Sequence, residues 1–147
     1  MHAIGKGIVI AEIQESSNVT YRVYDYGRLG ADGKPRELHV AKALELTKLS
    51  KAGESTQPHI SEKLAGGSVE TLVSCPYFMV KHIEVEDEID LKASAESFQH
   101  LMIVEGQVKI EEHGHTLLGK KGESFFISAG EENYILTGKG EVILSML

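Results

Sequence analysis

Apolar residues recur along this 147-residue chain in short alternating bursts separated by glycine and small polar residues. That is the period-two rhythm of half-buried strands, not the 3.6-residue rhythm of helices. Over residues 67–147 it predicts eight strands: Thr71–Val73, Phe78–Glu84, Ser97–Val104, Gln107–Glu112, His115–Leu118, Glu123–Ile127, Tyr134–Thr137 and Glu141–Leu147. Turns are expected at Gly106, Gly114, Gly122, Gly130 and Gly140, and the whole suggests a small double-sheet barrel. Residues 1–38 read as a hairpin and a loop. Ile8, Val9, Ile10 and Ile13 form a β-rich run bounded by Ser16-Ser17-Asn18, after which Val19, Tyr21 and Val23 alternate with Thr20, Arg22 and Tyr24. Gly27, Gly30 and Asp32-Gly33 then mark turns. Residues 39–66 open with a short helix, because Val40, Ala43, Leu44 and Leu46 share one side among Lys42, Glu45 and Lys48; a connector follows at Gly53-Glu54-Ser55-Thr56-Gln57-Pro58.

Composition supports the all-β class, with 15 Gly spread throughout and only 3 Pro. The length suffices for one sizeable core. The net charge of −7 is unevenly placed: residues 1–66 hold nine Lys/Arg against eight Asp/Glu, and residues 67–147 hold six against fourteen. An acidic second half argues against a nucleic-acid partner, whose phosphates need a basic footprint. It also directs any phosphorylated ligand toward Arg22 and Arg28 in the first segment. The block Glu84, Glu86, Asp87, Glu88 and Asp90 reads as a solvated turn between strands. No apolar run reaches the length of a membrane span or a secretory signal core. The single cysteine, Cys75, has no intrachain disulfide partner, which suits a reducing cytosol, so a cytoplasmic location is expected.

Several side chains are candidates for chemistry. Arg22 falls on the face of its strand opposite Val19, Tyr21 and Val23, and an antiparallel hairpin would bring it and His2 toward one cavity. Taken alone, Arg22 is equally a strand cation paired with Asp25 or Glu12, and His2 a packing or exposed histidine. His113-Gly114-His115 has the form of a His-x-His metal motif, yet Gly114 places it at a tight turn and no Glu follows at the spacing such a motif requires. His100 lies in an alternating strand, where a hydrogen-bonded histidine is commoner than a ligand. Cys75, before Pro76, reads as a buried small hydrophobe.

The stretch from His2 through Thr20-Tyr21-Arg22-Val23-Tyr24-Asp25-Tyr26-Gly27-Arg28, with Asp32-Gly33-Lys34-Pro35-Arg36-Glu37-Leu38-His39, resembles the zinc-dependent type I mannose-6-phosphate isomerases in their short Gram-positive form. Cys75-Pro76-Tyr77-Phe78, Phe98-Gln99-His100-Leu101 and Gly122-Glu123-Ser124-Phe125-Phe126-Ile127 extend the match to Leu147. The resemblance implies the closing strands of a first cupin barrel at 1–38, a helix and connector at 39–66, and a degenerate cupin jelly roll at 67–147. It further implies that the chain corresponds to the family's C-terminal part, as a truncated product, one half of a split gene or an engineered piece.

Carried over residue by residue, the resemblance makes His2 a zinc ligand whose fellow ligands lie elsewhere, and Arg22 a catalytic residue. Arg28 becomes a contact for the phosphate of the substrate. The implied reaction interconverts mannose 6-phosphate and fructose 6-phosphate through an enediol-like intermediate, whose developing negative charge a guanidinium stabilises. With His2 alone of the ligand set, the chain by itself is expected to be inactive. Its expected partners are the family's N-terminal half or a second copy of itself. The competing reading is a catalytically silent, cupin-like sugar-binding or structural module. A metal-dependent cupin oxygenase using His113 and His115 ranks third.

Overall fold

The structure is a computed structural model that describes residues 4–17, 19–47 and 60–147. His2, Asn18, Lys48 and the Gly53–Pro58 connector lie outside the described residues. The chain forms two compact units, residues 1–54 and 55–147.

In the first unit, the hairpin expected over residues 8–24 is not formed among the described residues. Residues 4–38 carry extended segments, turns and one isolated antiparallel bridge, Leu29 to Pro35. A two-stranded ribbon is marginal unless its apolar face is packed, and Val9 is 96% exposed. The turns do most of the shaping. Tyr26 and Gly27 both have positive φ, 53° and 68°, and the Arg28 amide closes the loop on the Asp25 carbonyl at 3.0 Å. Two such residues in succession are what a type I′ turn needs. A second loop closes through the Gly30 amide on the Lys34 carbonyl, with the Asp32 side chain accepting from the Lys34 amide. The expected helix is present as α1 (Val40–Leu46), but of its apolar side only Ala43 is buried.

The second unit holds eight strands: β1 (Ile60–Leu64), β2 (Gly67–Ser74), β3 (Met79–Val85), β4 (Glu88–Lys92), β5 (Gln99–Glu112), β6 (His115–Lys120), β7 (Ser124–Ile127) and β8 (Asn133–Met146). All pairings are antiparallel, in the order β1-β2-β3-β8-β5-β6, with β4 added to β8 and β7 to β5. The register shows how this makes two layers. The second half of β8 lies between β3 and the first half of β5, which also carries β7. The first half of β8 lies between β4 and the second half of β5, which also carries β6. Two 14-residue strands therefore serve both sheets. The ladder does not close into a hydrogen-bonded ring, because β1 and β6 remain edges.

The bend between the halves explains why the expected strand pairs 97–104/107–112 and 134–137/141–147 are each one strand. Gly106 and Gly140 sit opposite each other with a register shift at Ile103/Glu105, so the ladder bends without breaking. A Cβ on Gly106 would lie 2.3 Å from the Lys139 carbonyl oxygen, and only glycine permits that approach. The expected turn at Gly114 is observed. His113 and Gly114 both have positive φ, 51° and 74°, and join β5 to β6.

β1 and β4 were not expected. β1 falls in the segment read as connector, and β4 in the acidic block read as a turn. Only Glu86 and Asp87 turn; from Glu88 the chain alternates, with Ile89 buried and Leu91 packed beside the core while Glu88, Asp90 and Lys92 face solvent. The β1–β2 turn is tied to the β3–β4 turn through the Gly66 carbonyl, which accepts from the amides of Glu86 at 2.8 Å and Asp87 at 3.1 Å. Between the layers, Ile83, Leu101, Ile103, Val108, Leu136 and Val142 are fully buried. Cys75 is half-buried in the β2–β3 turn, its thiol hydrogen pointing to the Phe78 carbonyl at 3.3 Å. It is not the buried hydrophobe expected, because turn geometry holds it at the rim.

Candidate functional site

The first unit gathers three arginines around one carboxylate. The type I′ turn at Tyr26-Gly27 folds the chain back after Asp25, and the Gly30–Lys34 loop returns Arg36 to the same place. Arg36 grips Asp25 through both carboxylate oxygens: its Nε lies 2.5 Å from Oδ2, and its Nη2 meets Oδ1. This is the two-point fork that a planar guanidinium offers a carboxylate.

Arg22 approaches the same carboxylate, with Nε 3.8 Å from Oδ1. Its Nη1 donates to the Glu37 carbonyl at 3.1 Å, and its backbone is clamped to His39 in both directions. The His39 amide donates to the Arg22 carbonyl at 2.6 Å, and the Arg22 amide donates to Nδ1 of His39 at 3.3 Å. Among the described residues nothing engages Nη2 of Arg22, and the side chain is 23% exposed. One face of the guanidinium is anchored and the other is open. Arg28 stands over the Tyr26 ring, with Cζ 5.8 Å from the centroid.

The electrostatic consequence falls on Asp25. The Arg36 hydrogen bonds hold its carboxyl below the ordinary aspartate range; partial burial opposes this, and the fields of Arg36, Arg22 and Arg28 reinforce it. A carboxylate with a depressed native pKa contributes stability that is fully present above the unfolded value. That contribution is lost as pH falls through the native one. In a carboxyl-carbon NMR titration, Asp25 is expected to have a midpoint below that of an unstructured aspartate. Arg36→Ala is expected to move it upward, and a midpoint indifferent to that substitution would show that the fork does not persist in solution. At neutral pH three guanidiniums face one carboxylate, so the cluster carries excess positive charge.

Of the residues singled out from sequence, Arg22 and Arg28 are brought to one cluster; His2 lies outside the described residues. Arg36, Asp25 and His39 complete the arrangement. Asp25 was legible as a possible surface partner of Arg22, but Arg36 and His39 were not singled out. In the second unit the other histidines do not converge. His113 sits in the β5–β6 turn with Nδ1 2.7 Å from Glu132 Oε2, while His115 is exposed on β6. His100 alternates with the buried Gln99, Leu101 and Ile103, so it faces outward, against Phe126 and near Ser145 Oγ. Inside the unit the buried Tyr134 hydroxyl donates to Gln99 Oε1 at 2.7 Å, and Gln99 Nε2 donates to the Lys92 carbonyl at 3.0 Å. Burial, with the Glu112 charge assisting, pushes the Tyr134 phenol far above its ordinary pKa, so it remains a neutral donor.

Residues 68–147 match the family described as mannose-6-phosphate isomerase, cupin domain. Among curated relatives, the putative mannose-6-phosphate isomerase YvyI of Bacillus subtilis is 34% identical over 99% of this chain and 45% of its own length. The mannose-6-phosphate isomerase of Streptococcus mutans is 31% identical over 99% of this chain and 45% of its own length. The chain thus spans less than half the length of the curated relatives it matches. The crystal structure of the mannose 6-phosphate isomerase from Bacillus subtilis superposes with a TM-score of 0.74 at 32% identity, covering 89% of this chain and 41% of that one. An RmlC-like cupin from Shewanella frigidimarina, at 17% identity and a TM-score of 0.51 over 66% of this chain and 90% of its own, shares the fold.

Proposed function

Since this chain belongs to the mannose-6-phosphate isomerase cupin-domain family, we propose that it supplies Arg22 and Arg28 to an enzyme interconverting mannose 6-phosphate and fructose 6-phosphate. The observation that carries this reading is the convergence of Arg22 and Arg36 on the single carboxylate of Asp25, with Arg28 near enough to add its field, in a stretch that resembles the family's closing catalytic segment.

Aldose–ketose isomerisation moves a proton between adjacent carbons, and negative charge grows on the neighbouring oxygen as it does so. Arg22 suits that oxygen. Its guanidinium stays protonated throughout, and its anchored edge fixes where the open edge points, so little reorganisation is needed as charge develops. Arg28, with its guanidinium over the Tyr26 ring, is assigned to the phosphate at the far end of the sugar. Asp25 and Arg36 hold the frame.

The described residues contain no group of three His, Cys, Asp or Glu able to hold a metal. Zinc enters the proposal through His2, as one ligand among others supplied from outside this chain. The test combines metal content with turnover. Purified alone, the 147-residue chain is expected to carry no stoichiometric zinc and to leave mannose 6-phosphate unchanged. Co-expressed with the segment of the relatives that it does not cover, it is expected to gain both, and His2→Ala to lose zinc. Tight one-to-one zinc with turnover in the chain alone would contradict the assignment. A complemented protein that binds the sugar phosphate without converting it would favour a silent sugar-binding module.

A further inference from the structure

We propose that the interior of the second unit is a binding site for a small organic anion, held by Lys81. The proposal stands apart from the isomerase reading, because it concerns residues in the other unit.

Alternation along β3 sets Lys81 on the same face as the buried Ile83 and Val85, opposite the exposed Glu84. Lys81 thereby lines a cavity of about 300 Å³, at the lower end of the range for small-molecule sites. Among the described residues no hydrogen bond or ion pair engages its ammonium group. Lys81 is half-buried at this cavity, so its ammonium group stands without a protein counter-charge among the described residues where an anion can reach it.

Charge placement points the same way. Residues 67–147 hold fourteen acidic and six basic side chains. Nevertheless the cavity is lined by the side chain of Lys81 and by no Asp or Glu among the described residues, Lys92 at its edge turning its own side chain to solvent. A site whose sign opposes that of the unit around it selects an anion.

The uncharged groups offer donors. Ser94 Oγ already accepts from the amides of Glu96 at 3.2 Å and Ser97 at 3.3 Å, which leaves its O–H to give. Gln99 spends its carbonyl on Tyr134 and one N–H on the Lys92 carbonyl; its amide nitrogen otherwise faces only Met146 Sδ at 3.9 Å, a weak acceptor that a ligand oxygen would replace. The cavity therefore presents ammonium, hydroxyl and amide donors beside an apolar wall. Its complement is a compact molecule with an apolar flank and a phosphate ester or carboxylate group.

The test uses the full chain with ¹³C-methyl methionine. Met146 lines the cavity and reports binding, while Met102 lies on the outward face of β5 and serves as the control. Titration with fructose 6-phosphate or succinate is expected to shift Met146 in a saturable way and leave Met102 in place; uncharged mannose is expected to shift neither. Saturation by fructose 6-phosphate alone would assign a phosphoryl group, and by succinate alone a carboxylate; either supports the site. Lys81→Met is expected to weaken binding roughly tenfold or more, and Lys81→Arg to retain it. Lys81→Gln repeats the charge removal should Lys81→Met fold poorly. In an Arg22→Ala/Arg28→Ala double variant the Met146 titration is expected to be unchanged, which separates this site from the arginine cluster. No Met146 shift with either anion up to about 10 mM, or a Lys81→Met curve matching that of the parent, would overturn the proposal.

Discussion

Arg22→Ala, introduced into the chain complemented by the segment it does not cover, is expected to lower kcat about a hundredfold while leaving KM near its original value. A charged donor aimed at an oxygen that becomes anionic only in the transition state contributes little to ground-state binding. Its removal typically costs roughly 3 kcal/mol of barrier. Arg28→Ala should show the opposite split, a raised KM with kcat largely kept, since the phosphate is remote from the reacting carbons. The structure sharpens the contrast. Arg22 is anchored at Nε and Nη1, as a group with a fixed target requires, whereas Arg28 is steadied by the face of Tyr26. An Arg22→Ala protein with near-normal turnover would reduce this arginine to the ion-pair partner of Asp25.

Gly66→Ala is expected to be among the most damaging single methyl additions in the second unit. The added Cβ would stand 1.9 Å from the Glu88 carbonyl oxygen and 2.6 Å from the Glu88 amide nitrogen, backbone atoms that can move only if β4 moves. The same turn also delivers the carbonyl that caps the amides of Glu86 and Asp87. A loss on the order of 3 kcal/mol is expected, seen as a drop in Tm of roughly 6–12 °C. Gly122→Ala is the calibrating variant. Nothing lies within 4 Å of a Cβ there, so only its positive φ of 88° opposes the change and about 1 kcal/mol is expected. Equal melting of the two would mean that the β1–β2 turn does not dock on the β3–β4 turn.

Legibility from sequence followed the strength of each local signal. Alternation was plain in β3, β5 and β8, and the inner face it defines is the core that forms. Gly106 and Gly140 were read as turns because a glycine alone does not distinguish a reversal from a bend; what distinguishes them is that each lies opposite the other across the ladder. β4 was hidden by its own charges. Glu88, Asp90 and Lys92 are the outward half of an alternation whose inward half is only Ile89 and Leu91, and the acidic run outweighed two apolar residues. At the candidate site, Arg22 and Arg28 stood out through a family motif, whereas Arg36 reaches Asp25 only after two turns have reversed the chain. The first-unit hairpin failed for a related reason: alternation specifies a strand only when a partner covers its apolar face, and Ile8 and Val9 are exposed here.

The most direct test of the central claim is a ³¹P NMR time course of mannose 6-phosphate incubated with the complemented, zinc-loaded chain. Growth of the fructose 6-phosphate resonance to equilibrium is expected with the parent sequence, and a rate about a hundredfold lower with Arg22→Ala at equal zinc content. A folded, zinc-loaded complex that leaves the mannose 6-phosphate resonance unchanged would contradict it.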